Sequence, residues 1–240
     1  MTTLLHRPAP VSPGEGVDLA AWSIGSPRLL SGLDPSGDDR LDARRHLATH
    51  GALPGSDLER LLGFLDAAPI GGRGGAGFPL AAKLRALRSG RREVVVNGTE
   101  SEPASRKDRV LLRRTPHLVL DGALAVAHAV GARSVTVAVH DGRTAGSVRA
   151  AIAERPDARH VGVRPVPGGF VSGEARAVVR RLHGGPALPP GVRTPPTAGG
   201  VLVSNVETFA QLAVLLRTGP YDFAATGAPG EGVDLAAWSI

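Results

Sequence analysis

The sequence predicts an α/β fold in which a mostly parallel sheet is flanked by helices. Three short runs rich in β-branched residues, 93–97, 134–139 and 160–165, are typical of buried strands. Segments with helical periodicity separate these runs, and such alternation produces βαβ units with right-handed crossovers. The third observation is a glycine-dense loop at 71–79, placed just before a predicted helix.

The composition narrows the possible functions. The net charge of +6 comes almost wholly from arginine, because Lys83 and Lys107 are the only lysines. The aromatic content of 3% leaves few stacking platforms for single-stranded nucleic acid, and we expect no nucleic-acid partner. The sequence has no cysteine, which excludes disulfides, thiol catalysis and a cysteine-ligated iron–sulfur cluster in this chain.

The chain divides into three predicted parts. Residues 1–28 form an irregular arm, 29–219 the α/β domain and 220–240 a tail that repeats residues 13–24 without change. No apolar stretch has the length of a secretory signal or a membrane span, so we expect no direct membrane insertion. The expected location is the cytoplasm, either free or peripheral to a membrane complex.

Two helices are predicted before the glycine loop, at 42–50 and 58–68. Leu58, Leu61, Leu62 and Leu65 give the second helix an apolar stripe, and Ser56 or Asp57 can cap it. His46 and His50 lie four residues apart on the first helix. The pair has no group of carboxylates to support a metal, so a metal site is not expected there.

Five of the first seven residues of the loop Gly71 to Pro79 are glycine. Bare amides that lead into a helix, here predicted over 80–88, are typical of an anion site. The G-x-G-x-x-G match is weak because a helix precedes it, and no Gly-Lys-Ser/Thr follows to make a P-loop. A flexible linker is the alternative interpretation.

The first predicted strand ends at Asn97, and an acidic turn with Glu100 and Glu102 follows it. The carboxyl ends of strands are where open α/β sheets bind ligands. A solvated acidic turn explains this segment about equally well.

Helices are predicted at 108–114, 117–130 and 144–154. Pro116 stands at the start of the second, and Gly131 ends it. That helix is apolar nearly all round, which predicts deep burial.

A second glycine turn, 168–173, leads into a helix predicted over 174–182. Glu174 can either cap that helix or contact a ligand. A proline-rich loop at 186–200 precedes a short strand at 201–203 and a last helix that ends near Arg217. Asn205 is either an N-cap or a ligand contact.

The polar residues favour binding of a phosphate-bearing cofactor that brings its own chemistry. The histidines are scattered and form no recognisable Ser-His-Asp arrangement. The sequence offers instead bare amides, a lysine, an asparagine after a strand and carboxylates on loops.

Four stretches together resemble the NADH-oxidising flavoprotein subunit of respiratory complex I, along with related Rnf-type and NAD-linked hydrogenase and formate dehydrogenase subunits. In order they are Gly72 to Pro79 with Lys83, Asn97 to Pro103 with Lys107-Asp108-Arg109, Gly169 to Glu174, and Asn205 to Thr208. The resemblance runs from about Leu29 to Gly219.

The resemblance implies a Rossmann-like FMN-binding fold that passes a hydride from NADH to FMN and electrons onward to a partner. It places Phe78 and Glu102 beside the nicotinamide as the catalytic residues. It assigns cofactor binding, of FMN or NADH, to Gly72, Arg73, Gly74, Gly75, Ala76, Gly77, Lys83, Asn97, Thr99, Glu100, Phe170, Gly173, Glu174, Asn205 and Thr208.

The chain departs from this family pattern at four positions. Thr99 replaces an acidic residue, Phe170 a tyrosine, Ala175 the second acid of a Gly-Glu-Glu sequence, and Ser204 an asparagine. The ubiquitin-like and cluster-binding domains of the family do not follow in this sequence. We therefore expect an iron–sulfur or other electron acceptor on a separate chain.

Two functions follow from these observations. The first is an FMN-dependent NADH:acceptor oxidoreductase module. The second is a non-catalytic scaffold that retains flavin or nucleotide binding. The glycine loop, Lys83 and Asn97 favour the first, whereas Ala175 and the absent cluster domain favour the second.

Overall fold

A computed structural model describes residues 28–34, 37–73, 77–99, 105–167, 173–191 and 194–225. Its helices are α1 Ala43–His50, α2 Leu58–Ala67, α3 Leu80–Arg85, α4 Lys107–Arg114, α5 Pro116–Val130, α6 Gly142–Ala153, α7 Ala175–Leu182 and α8 Val206–Ala225. Its strands are β1 Glu93–Gly98, β2 Ser134–Val139, β3 Val161–Pro165 and β4 Val201–Asn205. Both copies of the duplicated segment lie outside these ranges, and the division into arm, domain and tail stays a prediction.

The strands of the described residues form one parallel sheet in the order β3-β2-β1-β4. The chain proceeds outward from β1 to β2 and β3, and then β4 returns to the other side of β1. The direction of strand addition thus reverses between β1 and β4, which makes this pair the topological switch point of the sheet. The predicted α/β fold with a parallel sheet is confirmed.

The alternation of side chains along β1 divides the core into two layers. Val94 and Val96 face the larger core, to which α2, α3, α5, α6 and α8 contribute. Val95 faces a smaller core covered by α7, together with Val178. With both faces covered, the strands are apolar on both sides, as buried parallel strands usually are.

Local signals fix several helix ends. Asp42, Asp57 and Asp141 each accept a hydrogen bond from the backbone N–H three residues on, and so cap α1, α2 and α6. Pro116 opens α5, and Gly131 ends it in the left-handed conformation at φ 63°. These ends match the sequence-based boundaries to within a few residues.

Two predicted elements differ in extent. The helix predicted over 80–88 ends at Arg85, because the Arg88 N–H instead bonds to the Thr197 carbonyl at 3.1 Å. The last helix breaks at Gly219, where φ is 80°, just beyond the predicted end near Arg217. A further helical segment continues from Pro220 to Ala225 and buries Phe223 in the core.

Candidate functional site

Of the predicted site residues that the structure describes, Lys83, Asn97 and Asn205 lie near the carboxyl ends of β1 and β4, the switch point of the sheet. Asn97 near the end of β1 and Asn205 at the end of β4 are Cα partners in the sheet register. Open α/β sheets bind ligands outside the carboxyl ends of their strands at such a point. The sheet topology therefore brings together two asparagines that lie far apart in the sequence.

Three hydrogen bonds orient the Asn97 side-chain amide. Its Oδ1 accepts from the backbone N–H of Thr99 at 3.2 Å and from the Thr99 hydroxyl at 2.5 Å. Its Nδ2 donates to the Gly173 carbonyl at 2.9 Å, which joins β1 to the turn before α7. Thr99, which stands where the family pattern has an acid, is buried and positions the amide.

The glycine loop is closed by backbone hydrogen bonds. The Gly72 N–H donates to the Phe78 carbonyl, and the Leu80 N–H donates to the Ile70 carbonyl, both at 3.0 Å. A Cβ added at Gly72 would lie 3.0 Å from the Phe78 oxygen and 3.7 Å from the Lys83 ammonium nitrogen. A side chain at this position would therefore have to push the Phe78 carbonyl by a few tenths of an ångström, which disfavours the closed loop.

The short helix after the loop contributes less to an anion site than the sequence suggests. Its first amide, that of Leu80, is already bonded to Ile70, and α3 has only six residues. A helix this short has little macrodipole to offer a ligand. Binding of an anion would therefore depend on the loop amides and on nearby cations.

Lys83 lies between the glycine loop and the sheet. Its ammonium donates to the Val203 carbonyl of β4 at 3.0 Å. Burial lowers the pKa of Lys83. The structure thus places the lysine behind Gly72, as a positive charge at one side of the loop.

The glycine loop also contacts the first turn of α8. The Arg73 N–H donates to the Thr208 hydroxyl at 3.2 Å. The Arg73 Nε lies 3.7 Å from Glu207 Oε1, and the Arg73 side chain is only 16% exposed. The Arg73 guanidinium therefore faces the protein interior.

A buried charged cluster underlies the site, and the sequence analysis assigned no role to most of it. The Lys107 ammonium lies 2.8 Å from Asp108 Oδ1, 3.0 Å from Asn205 Oδ1 and 3.5 Å from Glu207 Oε2. Asn205 Nδ2 donates to Asp108 at 2.5 Å, and its Oδ1 accepts from the Glu207 N–H. The N-cap interpretation of Asn205 is therefore correct, and Asn205 also bridges α4 and α8.

Burial raises the pKa of both acids in this cluster. The Asp108 carboxyl is fully enclosed, and the nearby Lys107 ammonium opposes the shift. Glu207 is enclosed in the same way, and burial raises its pKa. The positive charges of Lys107 and Arg73 lower this pKa, whereas the nearby Asp108 raises it further. The available signals for this cluster were two resembling stretches, one with Lys107-Asp108 and one from Asn205 to Thr208.

The remaining predicted residues have three outcomes. Glu174 caps α7 by accepting from the Ala177 N–H, so the capping interpretation is correct. Phe78 lies on the glycine loop with 51% of its surface exposed, and Gly77 adopts φ 62°. The predictions that fall outside the described residues are Gly74, Gly75, Ala76, Glu100, Glu102 and Phe170.

A second ionic cluster lies on the helices at a distance from the site. His46 Nε2 lies 2.8 Å from Asp121 Oδ2, within hydrogen-bond distance. Asp121 also forms ion pairs with Arg155 and Arg217. The carboxylate that pairs with His46 lies 75 residues away along the chain, so no local sequence signal indicated this contact. Among the described residues, no group of three His, Cys, Asp or Glu side chains is arranged to hold a metal.

Comparison with known proteins gives a consistent match. Residues 65–214 match the model of the Nuo51 FMN-binding domain. An NADH-quinone oxidoreductase subunit from Rhodobacter capsulatus is 32% identical over 223 residues, covering 82% of this chain and 52% of the relative. A subunit of the ion-translocating oxidoreductase complex from Pectobacterium carotovorum is 30% identical over 72% of this chain and 22% of the relative.

Solved structures agree with the sequence match. The crystal structure of an air-oxidised NAD⁺-reducing [NiFe]-hydrogenase superposes with a TM-score of 0.67 and 29% identity, over 79% of this chain and 35% of that chain. This chain thus spans about half or less of the length of the proteins that it matches. No helix in the described ranges is long and apolar enough to cross a membrane.

Proposed function

Because the chain belongs to the Nuo51 FMN-binding domain family, we propose that it holds FMN at the carboxyl ends of β1 and β4 and oxidises NADH there. The observation that supports this most directly is the meeting of the glycine loop, Lys83, Asn97 and Asn205 at one switch point. The family match supports the cofactor, and the sheet topology supports the proposed place.

The described residues fit a phosphorylated, planar cofactor. Gly72 cannot carry a side chain without displacing Phe78, which leaves the loop backbone bare on that side. Gly77 has open space where a Cβ would lie. Lys83 supplies a positive charge that suits a phosphate, and the oriented Asn97 amide supplies a polar contact. The residues present therefore suit FMN.

When bound, FMN supplies the hydride acceptor and the carrier of single electrons. The residues of this chain would hold the FMN in position and supply a positive charge near its phosphate. Lys83 and the loop amides would hold the phosphate, and Asn97 would hold the ring or the ribityl chain in one orientation. The hydrogen bonds from Thr99 and to Gly173 keep the Asn97 amide ready for that role.

We propose that NADH binds over the exposed ring of Phe78. A half-exposed phenyl ring beside a cofactor loop provides a flat apolar surface for the nicotinamide or adenine ring. We further propose that Glu102 and the second glycine turn, including Phe170, complete the nucleotide site. Ala175 stands where the family pattern has an acidic residue on that side. We therefore expect this replacement to affect NADH affinity more than FMN affinity.

We propose that electrons leave to an acceptor outside these 240 residues, which contain no cysteine to hold an iron–sulfur cluster. The proteins that the chain matches are named as subunits of larger oxidoreductase complexes. We therefore propose an iron–sulfur or other electron-transfer protein as the partner. A cytoplasmic site, free or at the periphery of a membrane complex, fits this arrangement.

The test is a visible absorbance spectrum of the purified chain after reconstitution with FMN, repeated after anaerobic addition of NADH. Flavin bands that bleach with NADH are the expected result. FMN affinity is measured separately by quenching of flavin fluorescence, which needs no turnover.

Two other outcomes would change the conclusion. Bound flavin that does not bleach would contradict NADH oxidation and support the flavin-binding scaffold. Failure of the folded chain to bind FMN would contradict the proposed cofactor site itself.

A further inference from the structure

We propose that Glu207 is a positioning residue that holds the glycine loop against α8 and thereby forms the cofactor site. The inference rests on the proposed function for its link to FMN. Its structural part, the fixing of the loop, is independent of that function.

Glu207 lies in the first turn of α8 with no exposed surface. Its carboxylate faces cations from two other segments. Oε1 lies 3.7 Å from Arg73 Nε of the glycine loop, and Oε2 lies 3.5 Å from Lys107 Nζ of α4. A single buried carboxylate thus connects three segments that are far apart in the sequence.

The loop is held at Arg73 by its main chain as well as its side chain. The Arg73 N–H donates to the hydroxyl of Thr208, the residue after Glu207. The preceding residue, Gly72, closes the loop because its N–H donates to the Phe78 carbonyl. Movement of Arg73 away from α8 would therefore disturb the closure of the loop, and with it the surface proposed to hold FMN.

The charge of Glu207 balances the cluster. When both carboxyls are ionised, Asp108 and Glu207 match the two positive charges of Arg73 and Lys107. A carboxylate with no exposed surface costs free energy unless cations and hydrogen bonds offset it. The offset here comes from Arg73, Lys107 and the Gln211 amide, whose Nε2 donates to Oε1 at 3.4 Å.

A neutral Glu207 would hold Arg73 less well, because only the anionic form attracts the guanidinium strongly. The charged groups that face it are Arg73 from the loop, and Lys107 and Asp108 from α4. Burial raises the pKa of Glu207, and Asp108 raises it further. Acidification should therefore weaken FMN binding above the pH range in which an ordinary glutamate titrates.

The test compares wild type with Glu207→Gln, which keeps the shape of the side chain and removes its charge. FMN affinity is measured by fluorescence quenching from about pH 8 to about pH 5, because burial raises the pKa of Glu207. We expect the variant to bind FMN about tenfold more weakly at the alkaline end, in line with usual coupling between buried charges. We also expect it to lack the acid-dependent loss that wild type shows.

Glu59→Gln is the matched control. Glu59 also lies in the first turn of a helix, α2, and it is exposed, so the substitution makes the same charge change away from the site. It should reproduce the wild-type affinity and pH profile. Equal affinity and an equal pH profile in wild type and Glu207→Gln would overturn the proposal.

A second measurement separates this inference from the proposed function. Hydrogen exchange in the cofactor-free proteins reports the Gly72 and Arg73 amides, both of which donate in the closed loop. Faster exchange at these amides in Glu207→Gln is expected. If wild type binds no FMN but this difference is found, the proposed function fails and the positioning role stands, whereas unchanged exchange overturns the positioning role.

Glu207→Gln could also fail to fold, and Arg73→Gln then tests the same contact from the loop side. Like Glu207→Gln, it should bind FMN more weakly than wild type at the alkaline end and lack the acid-dependent loss of affinity. It leaves the Glu207 carboxylate paired with Lys107. Wild-type FMN affinity in Arg73→Gln would contradict the proposal.

Discussion

Asn97 and Asn205 are Cα partners on adjacent parallel strands, yet their side chains bond to different parts of the chain. Asn97 donates to the Gly173 carbonyl before α7, and Asn205 donates to Asp108 in α4. This pair therefore connects the two strand ends at the switch point to segments on both sides of the sheet. Each asparagine side chain is held by contacts within the chain.

Replacing Asn97 by aspartate should weaken FMN binding by about tenfold or more, because oriented polar contacts of this kind contribute about 1–3 kcal/mol. The aspartate keeps the acceptor for Thr99 but loses the donor to Gly173, and it sets a carboxylate against a carbonyl oxygen. Flavin fluorescence titration measures the affinity. Thr99→Ser retains the hydroxyl and should bind FMN like wild type, and an Asn97→Asp protein with wild-type affinity would contradict the role of the amide.

Gly72→Ala should disrupt the glycine loop and reduce FMN affinity strongly. The added methyl group would lie 3.0 Å from the Phe78 oxygen and 3.4 Å from its nitrogen, and both are backbone atoms that cannot rotate away. The matched control is Gly63→Ala on the exposed side of α2, where no atom lies within 4 Å. That control should leave FMN binding intact and stabilise the fold by about 0.5–1 kcal/mol. Equal FMN affinities in the two variants would contradict the prediction.

Lys83→Met should lower FMN affinity by about tenfold, because it removes a charge proposed to face the phosphate. It should also remove an alkaline limb from the pH profile of binding. Burial lowers the pKa of Lys83, so in wild type the lysine loses its charge, and affinity falls, at a lower pH than an exposed lysine would. Arg88→Met, which removes an exposed positive charge shortly after α3, is the control, and a profile identical to wild type in Lys83→Met would exclude this role.

Gly122→Ala should unfold the domain or destabilise it by about 3 kcal/mol or more, the scale of severe overpacking in a core. A Cβ at this position would lie 1.9 Å from the Phe209 carbonyl oxygen, since the backbones of α5 and α8 meet there. Urea denaturation measures the free energy of unfolding. Gly146→Ala in α6, with no atom within 4 Å, should be neutral or stabilising, and a similar result for Gly122→Ala would show that the two helices can separate at little cost.

The histidine cluster of α1 and α5 predicts a loss of stability in mild acid. Burial first, and then the charges of His46 and Arg217, lower the pKa of His50 to about 4, and burial lowers the pKa of His117. Between about pH 6.5 and about pH 4 the unfolded chain therefore binds protons that the folded chain does not. The free energy of unfolding should fall by about 1–3 kcal/mol as the pH drops through this window.

The acidic partners of these histidines act at lower pH. The hydrogen bond from Arg40 is the main reason that the pKa of Glu154 falls to about 2. Burial alone would raise the pKa of Asp121, but His46, Arg155 and Arg217 hold it below its usual range. The stability that these carboxylates contribute is present above the carboxyl pKa of the unfolded chain and is lost as the pH falls through the folded values.

Urea denaturation at several pH values tests the histidine contribution. His50→Gln should flatten the dependence between about pH 6.5 and about pH 4, because it removes one group that titrates differently in the two states. His128→Gln, at an exposed position of α5, should keep the wild-type slope. If His50→Gln also keeps the wild-type slope, burial of His50 is not a cause of acid sensitivity.

Local sequence signals were enough to predict the elements and the class of fold. The run Glu93 to Asn97 favoured a buried strand, because its β-branched residues have no polar alternation. Asp57 and Pro116 indicated helix starts, and the alternation of strands with helices favoured a parallel sheet. The four resembling stretches indicated the family that the comparisons confirm. All of these signals act over a few residues, which is why they can be read without the fold.

Which charges meet depends on the folded arrangement of remote segments. Nothing near Glu207 in the sequence shows that it has no exposed surface or that it faces both Arg73 and Lys107. The pairing of His46 with Asp121 is hidden in the same way. Glu174 was ambiguous until its carboxylate was seen to cap α7. Burial and ion pairing depend on distances between remote segments, and these distances exist only once the sheet order has set β4 beside β1.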